Sequence, residues 1–148
     1  MHLIWGTVLI LFTLIVCWLG QVVAATLPRL ATRLGIIESE ADVDPAFFAD
    51  VRGEALWDAL MLWTLPLAGI LLILGNPWWA YFGLIGGGMY LYFSGRGIAQ
   101  RLSMQGRGIR IGKPGAVKLF NVVLTLWGLI ALVTIIMAVM ALPLPPSI

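Results

Sequence analysis

Four long apolar stretches dominate this sequence and decide which solvent the chain can fold in. They cover residues 3–27, 55–74, 77–94 and 119–142. Each can cross a hydrocarbon core of about 30 Å as a helix that rises about 1.5 Å per residue. Because 61% of the residues are hydrophobic and 11% are charged, lipid surrounds most of the chain. The sequence therefore predicts an all-α membrane protein, an antiparallel bundle of four transmembrane helices.

The basic residues predict the orientation. All nine Lys and Arg residues lie in the segments 28–54 and 95–118, whereas the turn at Gly75 and Asn76 and both ends of the sequence carry none. By the positive-inside rule, the two basic segments are cytoplasmic loops and both termini are extracytoplasmic. We expect one membrane domain, residues 1–148, in an inner membrane of the bacterial type.

Proline and glycine positions predict details of the bundle. Gly75, Asn76 and Pro77 leave so little slack that the second and third spans should form a tight hairpin. Asp44 followed by Pro45 indicates the start of a helix that runs into the second span. Its membrane-facing side should carry Phe47, Phe48 and Val51. Pro66 should kink that span, because it has no N–H to donate to the preceding turn.

Small residues follow one face of two predicted spans. Gly83 and Gly87 share a face of the third span, and Gly20 lies on a similar stripe of the first. Such spacing lets helix backbones approach closely in a membrane. The stripes predict helix packing, either within the chain or between the copies of a homo-oligomer.

Composition excludes several classes of function. Cys17 is the only cysteine, so the chain cannot run a two-thiol relay, and His2 is the only histidine, so it cannot ligate a haem through two histidines. We expect no metal and no resident cofactor. The glycine-rich string at 106–115 does not match a phosphate-binding loop, because Pro114 follows Lys113. Nucleic acid is not an expected partner.

The second loop is basic throughout. Anionic lipid of the inner leaflet attracts each nearby Lys or Arg by about 1 kcal/mol. We therefore expect a contact with lipid or with a partner subunit, although the acidic first loop offers another counter-charge. The residues expected in this contact are Arg101, Arg107, Arg110, Lys113 and Lys118.

Asp58 is the only acid inside an apolar span, about one turn from its cytoplasmic end. Glu54 lies one turn before it on the same face. Asp58 could pair with Arg52 or with an arginine of the second loop. Alternatively, it could form a cytoplasmic-side polar pocket with residues at similar depth on other spans. These residues are Gln21, Asn121 and Thr125.

Several motifs occur in a familiar order. They are Asp44 to Phe48, then Arg52 and Glu54, then Leu65 and Pro66, then Asn76 to Trp78, and finally Arg96 and Gly97. In this order the chain resembles the MAPEG superfamily of four-span membrane proteins, which includes membrane glutathione transferases. The resemblance implies a trimer that binds glutathione, an anionic thiol, near the cytoplasmic face. The residues that would form this site are Arg52, Glu54, Asp58 and Arg96.

Three functions remain open on this basis. The first is a structural, accessory or assembly subunit, because the chain shows no catalytic constellation and its clearest features are packing stripes and a charged cytoplasmic face. The second is the membrane enzyme that the resemblance implies, with glutathione as cosubstrate. The third is a small oligomeric transporter, which is disfavoured because no charge lies in the middle of a span.

Overall fold

The computed structural model describes residues 2–142, and these residues are almost entirely helical. Their one β-type pairing is an isolated antiparallel bridge between Val43 and Ile111. The all-helical prediction is confirmed. The elements in chain order are α1 (His2–Leu9), a π-helical segment (Ile10–Trp18), α2 (Leu19–Thr26), α3 (Pro28–Arg33), a 3₁₀ turn (Glu40–Asp42), α4 (Pro45–Met61), α5 (Thr64–Ile73), α6 (Trp79–Gly106) and α7 (Pro114–Ala141).

These elements build four long helices. The first long helix combines α1, the π-helical segment and α2, the second combines α4 and α5, and the third and fourth are α6 and α7. By length and composition, three helices can cross a membrane, namely His2–Thr26, Pro45–Ile73 and Pro114–Ala141. The third long helix has 28 residues but is rich in glycine and aromatic residues and carries two arginines. The helices are those of an integral membrane protein.

Cross-helix contacts show that the first and second long helices run antiparallel. Gly6 packs so closely on Gly69 that a Cβ atom at Gly69 would lie 3.2 Å from the Gly6 carbonyl oxygen. Further along the first helix, the Trp18 indole donates a 2.9 Å hydrogen bond to the carbonyl of Ala59. Positions that ascend in one helix therefore meet positions that descend in the other.

Glycines on two faces of the third long helix admit both of its neighbours. A Cβ atom at Gly87 would lie 2.6 Å from Cγ1 of Ile135 on the fourth long helix, and Gly83 faces the same helix. A Cβ atom at Gly86 would lie 2.5 Å from the backbone nitrogen of Leu65 on the second. Gly20 differs, because its nearest neighbour would be the Ile36 side chain at an ordinary 3.6 Å.

The π-helical segment is tied to the opposite side of the bundle. Tyr90 donates a 3.0 Å hydrogen bond from its buried hydroxyl to the carbonyl of Thr13. Trp127 donates a 3.0 Å hydrogen bond from its indole to the carbonyl of Phe12. Wide helical turns leave carbonyl groups free for such donors. The first long helix is thereby fixed to both the third and the fourth.

The second long helix is interrupted one turn before its proline. Its α4 portion ends at Met61 and α5 starts at Thr64. Pro66 cannot donate to the carbonyl of Leu62, which accounts for the predicted kink at this place. At the other end, α4 starts at Pro45 as predicted, but the Asp44 carboxylate does not cap its own helix. It accepts a hydrogen bond from the backbone N–H of Arg110 instead.

The two polar loops fold onto each other as one body, here called the loop cap and formed by residues 34–44 and 107–113. The backbone N–H of Asp44 donates to the Arg110 carbonyl at 2.8 Å, beside the bridge between Val43 and Ile111. Val43 and Ile111 are buried within the cap, and Phe47, which is 1% exposed, is buried beneath it. The prediction that Phe47 faces the membrane is therefore wrong, because the second loop covers it.

Candidate functional site

Arg101 lies inside the protein. Its Nη1 atom is 3.0 Å from Oε1 of Glu38, and both side chains are at least nine-tenths buried. Its guanidinium also lies 5.2 Å from the ring centroid of Phe47 and 4.8 Å from that of Phe120. Such stacking stabilises a cation away from water. The structure therefore does not place Arg101 where a lipid headgroup reaches it.

The basic residues that follow Arg101 in the second loop are exposed. Lys113 lies 3.1 Å from an Asp42 carboxylate oxygen of the first loop. Within residues 2–142, Arg107, Arg110 and Lys118 have no carboxylate at ion-pair distance. The acidic first loop thus offsets part of the second loop's charge, and the side chains of these three residues remain exposed.

Arg52 binds the C-terminal end of the first long helix. Its guanidinium donates hydrogen bonds to the carbonyl oxygens of Ala24 and Ala25, the latter at 3.3 Å. These carbonyls belong to the last turn of α2, where no further turn supplies donors and where a cation is favourable. The structure thus separates Arg52 from the other three residues of the predicted site.

Glu54 and Arg96 form an ion pair between the second and third long helices. Arg96 also lies 3.4 Å from an oxygen of Asp50, which in turn accepts a hydrogen bond from Gln100. Burial lowers the pKa of Arg96, but the Glu54 and Asp50 carboxylates more than reverse this effect, so the pKa lies above its ordinary value. Arg96 is a permanent cation that is already shared by two carboxylates.

Asp58 lies deeper in the same cleft. The cleft has a volume of about 460 Å³, and Asp50, Glu54, Asp58 and Arg96 are all among its lining residues. Asp58 is 7% exposed, and its buried Oδ2 atom has no hydrogen-bond partner among residues 2–142. An unpaired buried carboxylate is costly. The cleft therefore contains three carboxyl groups and one guanidinium, with the deepest carboxyl group left unsatisfied.

Apolar side chains form the rest of the cleft. Trp57 and Tyr92 lie at its mouth and are 61% and 71% exposed, while Met61, Met89 and Phe93 lie further in. At about 1.5 Å per residue, Phe93 is about 21 Å along α6 from its start at Trp79. The cleft is thus a side opening toward the charged end of the helices, with an acidic floor and an aromatic mouth.

The other polar residues predicted to join Asp58 lie elsewhere. Gln21 lines an internal cavity of about 250 Å³ that also touches Cys17 and Arg101. Asn121 and Thr125 line an open groove of about 730 Å³ along the fourth long helix. None of the three side chains lines the cleft that holds Asp58, although the cavity at Gln21 borders Glu54 and Phe93, which also line that cleft.

The groove on the fourth long helix, here called the α7 groove, carries a short polar ladder. Lys118, Asn121 and Thr125 are spaced by about one turn each and lie among exposed apolar side chains. The Thr125 hydroxyl donates to the Asn121 carbonyl at 2.8 Å. The Asn121 side-chain oxygen is buried without a hydrogen-bond partner. The amide of Asn121 is therefore incompletely satisfied within the described chain.

No protein-family model, curated protein or solved structure matches this chain. Among the described residues, no three His, Cys, Asp or Glu side chains are placed to hold a metal ion. Sequence reasoning missed Asp50 and Gln100, although a signal was present. Each lies 25 positions from Gly75, so a tight hairpin at that glycine brings the two opposite each other.

Proposed function

We propose that this chain is a four-span membrane protein that acts as a structural, accessory or assembly subunit. In this proposal both termini are extracytoplasmic and the loop cap is cytoplasmic, in an inner membrane of the bacterial type. The nine basic residues support the orientation. Each is separated from the turn at Gly75 by at least one span length, which puts the basic residues on the side of the membrane opposite that turn. The third long helix is taken as the remaining span, since it packs between the second and the fourth.

The observation that carries the proposal is the α7 groove. A lipid-facing helix surface is ordinarily apolar, because lipid tails cannot hydrogen-bond. The Thr125 hydroxyl is exposed on such a surface, and the buried oxygen of the Asn121 amide has no hydrogen-bond partner among the described residues. Side chains of these types join helices inside membranes. A partner transmembrane helix that lies in the groove would offer a hydrogen-bond partner to the exposed Thr125 hydroxyl, which can accept as well as donate.

The geometry favours this role over that of a glutathione enzyme. An anionic cosubstrate needs free cations, but Arg96 is shared by Glu54 and Asp50, and Arg52 is bound to backbone carbonyls of the first long helix. Asp58 adds a further acid to the cleft. An anion would meet net repulsion there. The partner in the groove is either a second copy of this chain or another membrane subunit.

Substitution of Thr125 tests the proposal. Thr125→Val removes the hydroxyl of the ladder, and Asn121→Leu removes the amide. Thr7→Val is the matched control, because Thr7 is also exposed and its hydroxyl also donates to the carbonyl four residues earlier, at 2.8 Å. Native mass spectrometry after mild detergent extraction should show the complex for the native chain and for Thr7→Val, and less of it for the two groove variants. Equal assembly of all four proteins would overturn the proposal.

A further inference from the structure

The cleft between the second and third long helices has an excess of acid that its own residues do not neutralise. Arg96 is its one cation among the described residues, and it is held between Glu54 and Asp50 at the cytoplasmic side. Asp58 lies one helical turn deeper than Glu54 and makes no ion pair within the part of the chain that the structure describes. Two carboxyl groups at this spacing on one helix face repel each other. A second positive charge beside Asp58 would relieve the repulsion.

The unsatisfied carboxyl group points to a bound partner. Asp58 is more than nine-tenths buried, lines the cleft, and has an oxygen without a hydrogen-bond partner. Native proteins pair such groups, because burial removes the water that would otherwise solvate them. A metal ion fits poorly, since no three ligating side chains in residues 2–142 converge on one point.

The walls of the cleft specify the shape of the partner. Trp57, Tyr92 and Phe93 surround the entrance and one side, and Met61 and Met89 supply adaptable apolar surface. Aromatic faces attract organic cations, most strongly where water is excluded. A volume of about 460 Å³ is within the range of small-molecule sites. The same cleft thus offers a carboxylate to the cationic group of a ligand and apolar walls to its hydrophobic part.

We propose that this cleft binds a hydrophobic organic cation, with the cationic group beside Asp58 and the apolar body between Trp57 and Tyr92. The site does not depend on the subunit role, because the cleft and the α7 groove share no lining residue. The ligand enters sideways from the inner leaflet, where the exposed aromatic side chains lie. The cation is either a free amphiphile or the amine of a membrane lipid.

Tetraphenylphosphonium and tetraphenylborate form a probe pair of the same shape and opposite charge. Calorimetric titration of the purified full chain in a neutral maltoside detergent should give saturable binding of the cation only. Asp58→Asn should weaken this binding at least about tenfold, because it removes the negative charge that attracts the cation. Asp42→Asn, the same change in the exposed loop cap, should leave it unchanged.

A second substitution covers the case in which Asp58→Asn does not fold. Trp57→Ala should weaken cation binding severalfold, whereas Trp78→Ala, at a residue that is also 61% exposed, should not. Equal affinity for the two probes, or unchanged binding in both cleft variants, would overturn the proposal. Competition by phosphatidylethanolamine but not by phosphatidylglycerol would support it and identify a lipid amine as the ligand. Competition by neither lipid, with saturable cation binding, would support it and identify a free cation.

Discussion

Arg101 and Glu38 form a buried ion pair between residues that are 63 positions apart in the sequence. The pair joins the C-terminal part of the third long helix to the first polar loop. It therefore fastens the loop cap to the bundle. Its loss would leave a charge inside the protein without a counter-charge, which is the situation that destabilises most.

We expect Arg101→Met to lower the free energy of unfolding by about 3 kcal/mol. The substitution leaves the Glu38 carboxylate buried and removes the cation from between Phe47 and Phe120. Arg107→Met is the control, because Arg107 is exposed and has no ion pair within the described residues. Thermal unfolding in detergent should separate the two variants by several degrees. Equal midpoints would show that the pair contributes little.

Adjacent glycines of the third long helix provide a matched test of helix packing. Gly86→Ala should destabilise the protein by about 1 to 3 kcal/mol, because its Cβ atom would meet the backbone of Leu65. Gly88→Ala should be neutral or slightly stabilising, since a Cβ atom there meets nothing within 4 Å and alanine favours a helix. The thermal midpoints of the two variants give the result. If Gly86→Ala were as stable as Gly88→Ala, close packing of Gly86 against the second long helix would be refuted.

Topology reporters test the proposed orientation. A reporter inserted at Gly75, or fused after Ile148, should report the extracytoplasmic side, and one inserted at Gly108 should report the cytoplasm. Ile148 lies outside the described residues, but the charge asymmetry that motivates the expectation comes from the sequence. The reverse labelling would show that the orientation is the opposite of the proposed one. The cleft would then not open toward the inner leaflet.

Glutathione should not bind saturably to the purified chain. The described residues leave no free cation in the cleft, since Arg96 is shared by two carboxylates and Arg52 lies elsewhere. Calorimetric titration of the native chain and of Arg96→Ala measures this directly. Saturable binding that disappears in the Arg96 variant would favour the enzyme that the MAPEG resemblance implies and would displace the subunit proposal.

The long helices were predictable from the sequence, because each follows from the length of one apolar stretch. A tight hairpin at Gly75 also indicates which residues of the candidate site face each other, which the motifs do not. Glu54 and Arg96 each lie 21 positions from this glycine, and a tight antiparallel hairpin places such positions opposite each other. The pairing of the second and third helices therefore contained the core of the candidate site.

The remaining contacts could not be predicted from local patterns. Arg52 binds backbone carbonyls, which every residue possesses, so its partners leave no mark in the sequence. Phe47 is apolar in either environment, and its inward position depends on the distant Ile111 and Arg101. Gly6 and Gly69 belong to different spans, and their contact depends on how those spans are aligned. In each case a long-range packing choice decides the outcome.

The distribution of charge along the helices also bears on how such a chain could enter a bilayer. Every charged side chain of the sequence falls within 29–58 or 96–118, on either side of the hairpin that turns at Gly75. With the proposed orientation, no ionised side chain has to be carried through the hydrocarbon during insertion. The hairpin can enter as one apolar unit, while its charged ends and the adjoining loop cap stay on the side from which insertion starts.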